Sequence, residues 1–193
     1  MKKIDFLKEK VCQLYEAKNP DRADWADWLF QNHVFVVVNY AEAIAKKIHA
    51  KEELAMAAGM LHDIADAEMS RFDERHTKRS REIAETLLKD AGFPDREIAT
   101  VIDAINHHGC RDGKAPVTSE GKVMATADAV AHLSTNFYDY VREAMGRAGK
   151  SSEEIASWAL SKIERDYNDK IFFDEVRTEV LKDYERVKAL FCK

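Results

Sequence analysis

The stretch LAMAAGMLHDI, residues 54–64, decides how this chain folds. After Glu53 it carries no charge until His62 and Asp63. It is long, small-sided and apolar, which predicts a buried helix over 53–65 ending at the His-Asp pair. An ionisable pair at that place faces packed neighbours rather than water. The same conflict recurs in VMATADAVA, residues 123–131, where Asp128 is the only ionisable residue between Lys122 and His132. It recurs again at His33, one turn before Val37 on the stripe Val37, Ala41, Ile44 and Ile48, which predicts an amphipathic helix over 33–49.

The rest of the chain reads as helix as well. A charged first helix is expected over 4–17, stopped near Asn19-Pro20, and a short Trp25/Trp28 segment follows. Residues 70–78 form a polar loop, and Ile83, Leu87 and Leu88 mark a helix that Gly92 ends. Pro94 opens the next, whose stripe is Ile98, Val101, Ile102 and Ile105 and which runs into His107-His108. A helix over 120–133, one opened by the capping pair Ser151 and Glu154, and a last one over 172–191 complete the expectation. The fold class is all-α. Apolar stripes continue on both sides of residues 146–150, so a single domain over 1–193 is expected, with a core at about 23–145 and a helical extension at about 151–193.

Composition narrows the function classes. A formal charge of −5 gives no basic footprint for a nucleic-acid polymer. Three scattered cysteines, Cys12, Cys110 and Cys192, have no zinc-type spacing and suit free thiols in a reducing compartment. No apolar run approaches a membrane span. Together these point to a cytoplasmic protein with no membrane partner. Homo-oligomerisation stays open, because Trp25, Trp28, Phe30, Phe172, Phe173 and Phe191 suit either a core or a dimer surface.

Each buried polar residue alone has an ordinary explanation: a hydrogen-bonded core histidine, a helix-end acid, or an Asp128 paired with a cation. That cation has to come from elsewhere, since no basic side chain other than His132 lies between Lys122 and Arg142. Taken together, two imidazoles and two carboxylates on three core-facing helices make a chemically sensible site for a divalent metal. An unpaired buried carboxylate costs several kcal/mol, and a shared cation offsets that cost.

In the order H…HD…D, this pattern resembles the HD superfamily of metal-dependent hydrolases. The matching residues are His33, the pair His62-Asp63 in LHDI and Asp128 in ATADAV, and the resemblance extends over about 32–132. It implies a compact bundle of about five core helices with extra N- and C-terminal helices. It also implies a metal held by His33, His62, Asp63 and Asp128, with Mn, Mg, Co, Fe, Ni and Zn all eligible. A second metal would draw on His76, His107 and His108. Asp63 and Asp66 are the expected catalytic acids, Asp66 orienting water as an acid does at this place in the family's 5′-deoxynucleotidases. Cyclic-di-GMP and (p)ppGpp hydrolysis are disfavoured, because the GYP signature and the second acid of HDxxED are missing.

The expected substrate is a nucleotide or another small phosphate ester. Arg75, Lys78 and Arg79 after the His-Asp pair, and Arg111 after His107-His108, are the candidate phosphate-binding cations, with Arg71 and Lys114 beside them. Two alternatives are kept. One is a di-iron oxygenase on the same scaffold; the other is a non-catalytic helical regulatory module.

Overall fold

A computed structural model describes residues 2–192, and among them every regular element is helical. In chain order the α-helices are α1 (Lys2–Glu16), α2 (Ala26–Leu29), α3 (Phe35–Ile48), α4 (Glu52–Leu61), α5 (His76–Asp90), α6 (Asp95–His107), α7 (Ser119–Ser134), α8 (Phe137–Arg147), α9 (Ser152–Asn168), α10 (Asp174–Glu179) and α11 (Leu181–Ala189). No described helix is long and apolar enough to cross a membrane.

The centre of the bundle is α7. All residues from Val123 to Leu133 are buried, so this helix presents no solvent face. Its alanines let α3, α4, α6, α8, α9 and α11 pack around it. Thr118 caps it, accepting a hydrogen bond from the Gly121 amide at 3.1 Å. Helix α1 lies on α4, and α5 packs against α6. At the start of α9 the expected capping box is present, with Ser151 and Glu154 exchanging hydrogen bonds.

Four boundaries differ from expectation, the first being α5, which begins at His76 inside the expected 70–78 loop. The helix expected over 33–49 begins earlier: α2 and α3 are joined by a π-helical turn, Phe30–Val34, that contains His33. Such a turn holds one extra residue and redirects the side chains within it. The helix expected over 53–65 stops at Leu61. Asp63 leaves helical geometry (φ −125°, ψ 32°), and a single 3₁₀ turn, Ile64–Ala67, follows. The last helix divides at Val180. Helix α8 is an element that the apolar pattern does not distinguish. Its Phe137 and Tyr140 pack against Trp28, with Tyr140 stacked on it at 4.1 Å, so this tryptophan covers the core. Phe30 stacks on Tyr15, and Phe191 is buried.

Gly121 lies where α7 passes close to Pro116 and to α6. A Cβ there would lie 2.6 Å from Pro116 Cβ and 3.5 Å from Ala104 Cα. Gly121→Ala is therefore expected to cost about 1–3 kcal/mol through overpacking, lowering Tm by about 2–4 °C per kcal/mol. Gly146→Ala, where a Cβ meets nothing within 4 Å, should leave Tm unchanged or slightly raised. Thermal melts of the two variants check the pair; equal Tm values would refute the packing argument.

Candidate metal centre

His33 from the π-turn, His62 from the end of α4 and Asp128 from the middle of α7 converge in the core. Each is at most 3% exposed, and one ligand atom from each falls within 4.8 Å of the others. Asp128 Oδ1 lies 3.0 Å from His33 Nε2 and 3.7 Å from His62 Nε2. His62 Nδ1 donates to the Gly59 carbonyl at 2.9 Å, so the lone pair on Nε2 faces the cluster. His62 Nε2 and Asp128 Oδ1 are buried without a well-directed hydrogen bond among the described residues, as is His33 Nδ1. An unpaired nitrogen and oxygen acceptor facing each other at 3.7 Å, His62 Nε2 and Asp128 Oδ1, with His33 Nε2 beside them, suit a divalent cation. The residues fit the group.

Asp63 stands at the edge of this cluster. Its Oδ2 is 3.6 Å from His62 Nε2, and its Oδ1 is 3.8 Å from His108 Nε2. It also lines a cleft of about 410 Å³ whose other walls include Arg71, His76, His107, His108, Arg111 and Lys114. Asp63 thus connects the buried donors to solvent. Burial opposes its ionised form, but Arg71 and the surrounding imidazoles outweigh that and hold its carboxyl well below the usual range.

The remaining expected residues are distributed unevenly. Asp66 is buried, with Oδ1 on His76 Nε2 at 2.9 Å and Oδ2 on Arg71, so both oxygens are engaged and neither is left to orient water. His76 is thereby committed to Asp66. His107 turns back to the Asp103 carboxylate at 2.9 Å. Of the three histidines expected at a second metal, only His108 faces Asp63; its Nδ1 donates to the Ile105 carbonyl at 2.8 Å. The positive charge beside Asp63 comes instead from Arg71 Nη1, at 2.9 Å.

Arg75, Lys78 and Arg79 do not line the cleft. Arg75 pairs with Asp73 at 2.7 Å, Arg79 with Glu68 at 2.7 Å, and Lys78 stands 3.9 Å from Glu82, each drawn to a local carboxylate. The cations of the cleft are Arg71, Arg111 and Lys114.

Sequence reasoning missed the residues behind Asp128. Lys170, buried in the turn after α9, pairs with Asp128 Oδ2 and lies 3.5 Å from Asp166. This is the cation that α7 could not supply locally. His132 stacks on His33 at 4.8 Å and places Nε2 3.4 Å from Asp128 Oδ1. The i, i+4 spacing of Asp128 and His132 puts them on one helix face, a signal the sequence did contain. Burial opposes ionisation of Asp128, and His132, Lys170, His33 and His62 outweigh it, so its carboxyl is held well below the usual range.

A model of the HD domain family matches residues 30–133. The chain belongs to the HD domain family. Its members are in general metal-dependent hydrolases that bind divalent metals, and the His33, His62 and Asp128 cluster could hold such an ion. The chain is also similar to a ribonuclease Y from Sulfurovum sp. (strain NBC37-1), 29% identical over 136 residues. That alignment covers 70% of this chain but 24% of the relative, so the HD chain spans about a quarter of that protein's length. No solved structure matches the chain significantly.

Burial makes stability pH-dependent. It pushes His108 down to about 4 and His132 to about 3, from 6.5, and it lowers His33 as well. These imidazoles are neutral when folded and protonated when unfolded below 6.5. Their stabilisation is complete above pH 6.5 and is lost as pH falls towards the folded values, at up to about 1.4 kcal/mol per pH unit for each. His76, raised by its Asp66 partner against its own burial, works in the opposite sense. Urea unfolding of chelator-treated protein should show stability falling from pH 6.5 to pH 5, with His108→Gln reducing the slope by about one proton. A flat profile would contradict desolvated imidazoles.

Proposed function

We propose that the protein is a divalent-metal-dependent phosphohydrolase acting on a nucleotide or a comparably small phosphate ester. The observation that carries this reading is the buried cluster of His33, His62 and Asp128 beside a cleft walled by Arg71, Arg111 and Lys114. A divalent ion bound by these donors and Asp63 supplies Lewis acidity toward phosphoryl oxygen and lowers the pKa of water.

The chain's own side chains account for the rest. Arg71, held by Asp63 and Asp66, places a fixed positive charge at the cleft where phosphate charge is to be stabilised. Arg111 and Lys114, on the far wall, bind further phosphate oxygens. His108 is neutral and turns its Nε2 lone pair toward the floor beside Asp63, where it can accept a proton or a hydrogen bond. Asp66 and His76 position Arg71 and the floor rather than reacting.

An aromatic cavity supports a nucleotide over a sugar phosphate. Trp25, Phe72, Tyr140 and Trp158 line about 610 Å³, with Arg147 and Lys150 at the same cavity. A neighbouring groove shares Trp158 and Lys150 with it and shares Cys110, Arg111 and Asp112 with the metal-side cleft. Phe72 is 83% exposed and stands edge-on to Trp25 at the same cavity, so its ring adds to one aromatic wall. The relative named ribonuclease Y raises the question of a polymeric substrate. The formal charge of −5, with Asp73 and Asp112 among the cleft's cations, supports a small ester instead. Arg71 in place of a second cation on Asp63 supports a hydrolytic centre over a di-iron one.

Purified protein supplied with manganese, cobalt or magnesium is expected to release phosphate from at least one nucleotide or sugar phosphate. Asp63→Ala and Asp128→Ala should lower turnover by more than about 100-fold, the upper end of what loss of a supporting partner costs a metal site. Phe72→Ala should raise KM for a nucleotide by about tenfold while sparing sugar phosphates, since base stacking contributes about 1–3 kcal/mol. Folded, metal-loaded protein that hydrolyses none of these esters would defeat the proposal.

A further inference from the structure

The match to the HD family ends at residue 133, yet a side chain from beyond it reaches the floor of the metal centre. Lys170, in the turn after α9, is 2% exposed and pairs through Nζ with Asp128 Oδ2. The backbone that carries it is latched to α7. Thr126 Oγ1, buried two residues before Asp128, donates to the Lys170 carbonyl at 3.0 Å and accepts from the Phe172 amide at 3.2 Å. The Lys170 amide donates to the Arg165 carbonyl at 3.1 Å, which ties the same turn to α9. Lys162, the neighbouring buried ammonium, is committed elsewhere: its Nζ lies 3.2 and 3.1 Å from the two Asp166 oxygens and 3.2 Å from His132 Nδ1. Lys170 is therefore the ammonium that Asp128 meets.

The two oxygens of Asp128 consequently have different surroundings. Oδ2 is occupied by Lys170, whereas Oδ1 faces His33 Nε2 at 3.0 Å and His62 Nε2 at 3.7 Å. A carboxylate can hold a divalent ion with one oxygen or with both. An ammonium bonded to one of them leaves only the other for the ion. We propose that Lys170 is a positioning residue of the metal centre: it confines Asp128 to one oxygen toward the ion and so keeps a coordination position open for water or substrate. An open position is what separates a catalytic metal site from a closed, structural one. The inference rests on the metal-centre part of the proposed function and is independent of which ester is hydrolysed.

A role in positioning and a role in packing alone give opposite expectations for Lys170→Met, which keeps an unbranched apolar stem and removes the charge. If Lys170 only supports the fold, its loss disturbs the floor and weakens metal binding. If it positions Asp128, its loss frees Oδ2 for the ion and takes a positive charge away from beside it. The ion is then held at least as tightly, while the open position is filled from within the chain.

The test uses the full chain, stripped with chelator and returned to cobalt, with inorganic phosphate as the probe of the open position. Phosphate should shift the visible cobalt bands of wild type. Lys170→Met should bind cobalt no more weakly than wild type, show weaker bands because a further oxygen is bound, and lose the response to phosphate. Weakened cobalt binding in the variant overturns the positioning role. So do wild-type bands with an undiminished phosphate shift in the variant, and wild-type protein whose bands ignore phosphate. Metal-free circular dichroism establishes whether Lys170→Met folds. Where it does not, a crystal structure of manganese-loaded wild type decides the same point: Asp128 on the ion through Oδ1, with Lys170 on Oδ2, supports the proposal, and both Asp128 oxygens on the ion overturn it. Wild type that binds no divalent ion overturns the metal centre itself, and this inference with it.

Discussion

A carboxylate set into a helix buried on every side constrains this whole molecule. Asp128 sits among the alanines of α7, where an unpaired charge would cost several kcal/mol. The bundle answers on both oxygens. On Oδ2 it supplies Lys170 from the turn after α9, and at Oδ1 it gathers the imidazoles of His33, His62 and His132. The two answers differ in kind. A lysine closes one side with the chain's own charge, while the imidazoles around the other oxygen complete a cluster that could hold an external cation.

The surrounding architecture follows from that need. The π-turn at Phe30–Val34 and the halt of α4 at Leu61 are local departures from regular helix, and each delivers a donor to the same point. Irregular backbone is concentrated where ligands must converge, because regular helices present side chains only in fixed directions. The C-terminal helices also belong to this arrangement. Through Asp166, Lys162 and Lys170 they reach the floor of the site, and the network is satisfied only when α9 is in place.

Electrostatic sorting around the cleft separates two sets of basic residues that look alike in sequence. Arg75, Lys78 and Arg79 lie at or near the start of α5 and are matched by nearby acids, which makes them ordinary surface pairs. Arg71 is different, because Asp63 and Asp66 hold it at the cleft wall, between the buried donors and solvent. Asp66 is accordingly bonded to Arg71 and His76, and these partners account for a buried acid in a turn that otherwise reads as surface.

Much of this protein was legible without coordinates. The all-α class, the helix over α7, the capping box at Ser151 and the burial of His33, His62 and Asp128 follow from periodicity and from polarity placed on apolar stripes, which are local properties of a chain. What only the tertiary structure decided is which groups meet across long separations. Lys170 is 42 residues from Asp128, and Asp166 is 28 from Tyr138. His132 lay within reach of sequence reasoning, one turn after Asp128, but its meaning depends on Asp166 behind it and His33 beside it. A one-dimensional pattern records that a buried charge must be compensated; only packing in three dimensions brings the compensating groups together.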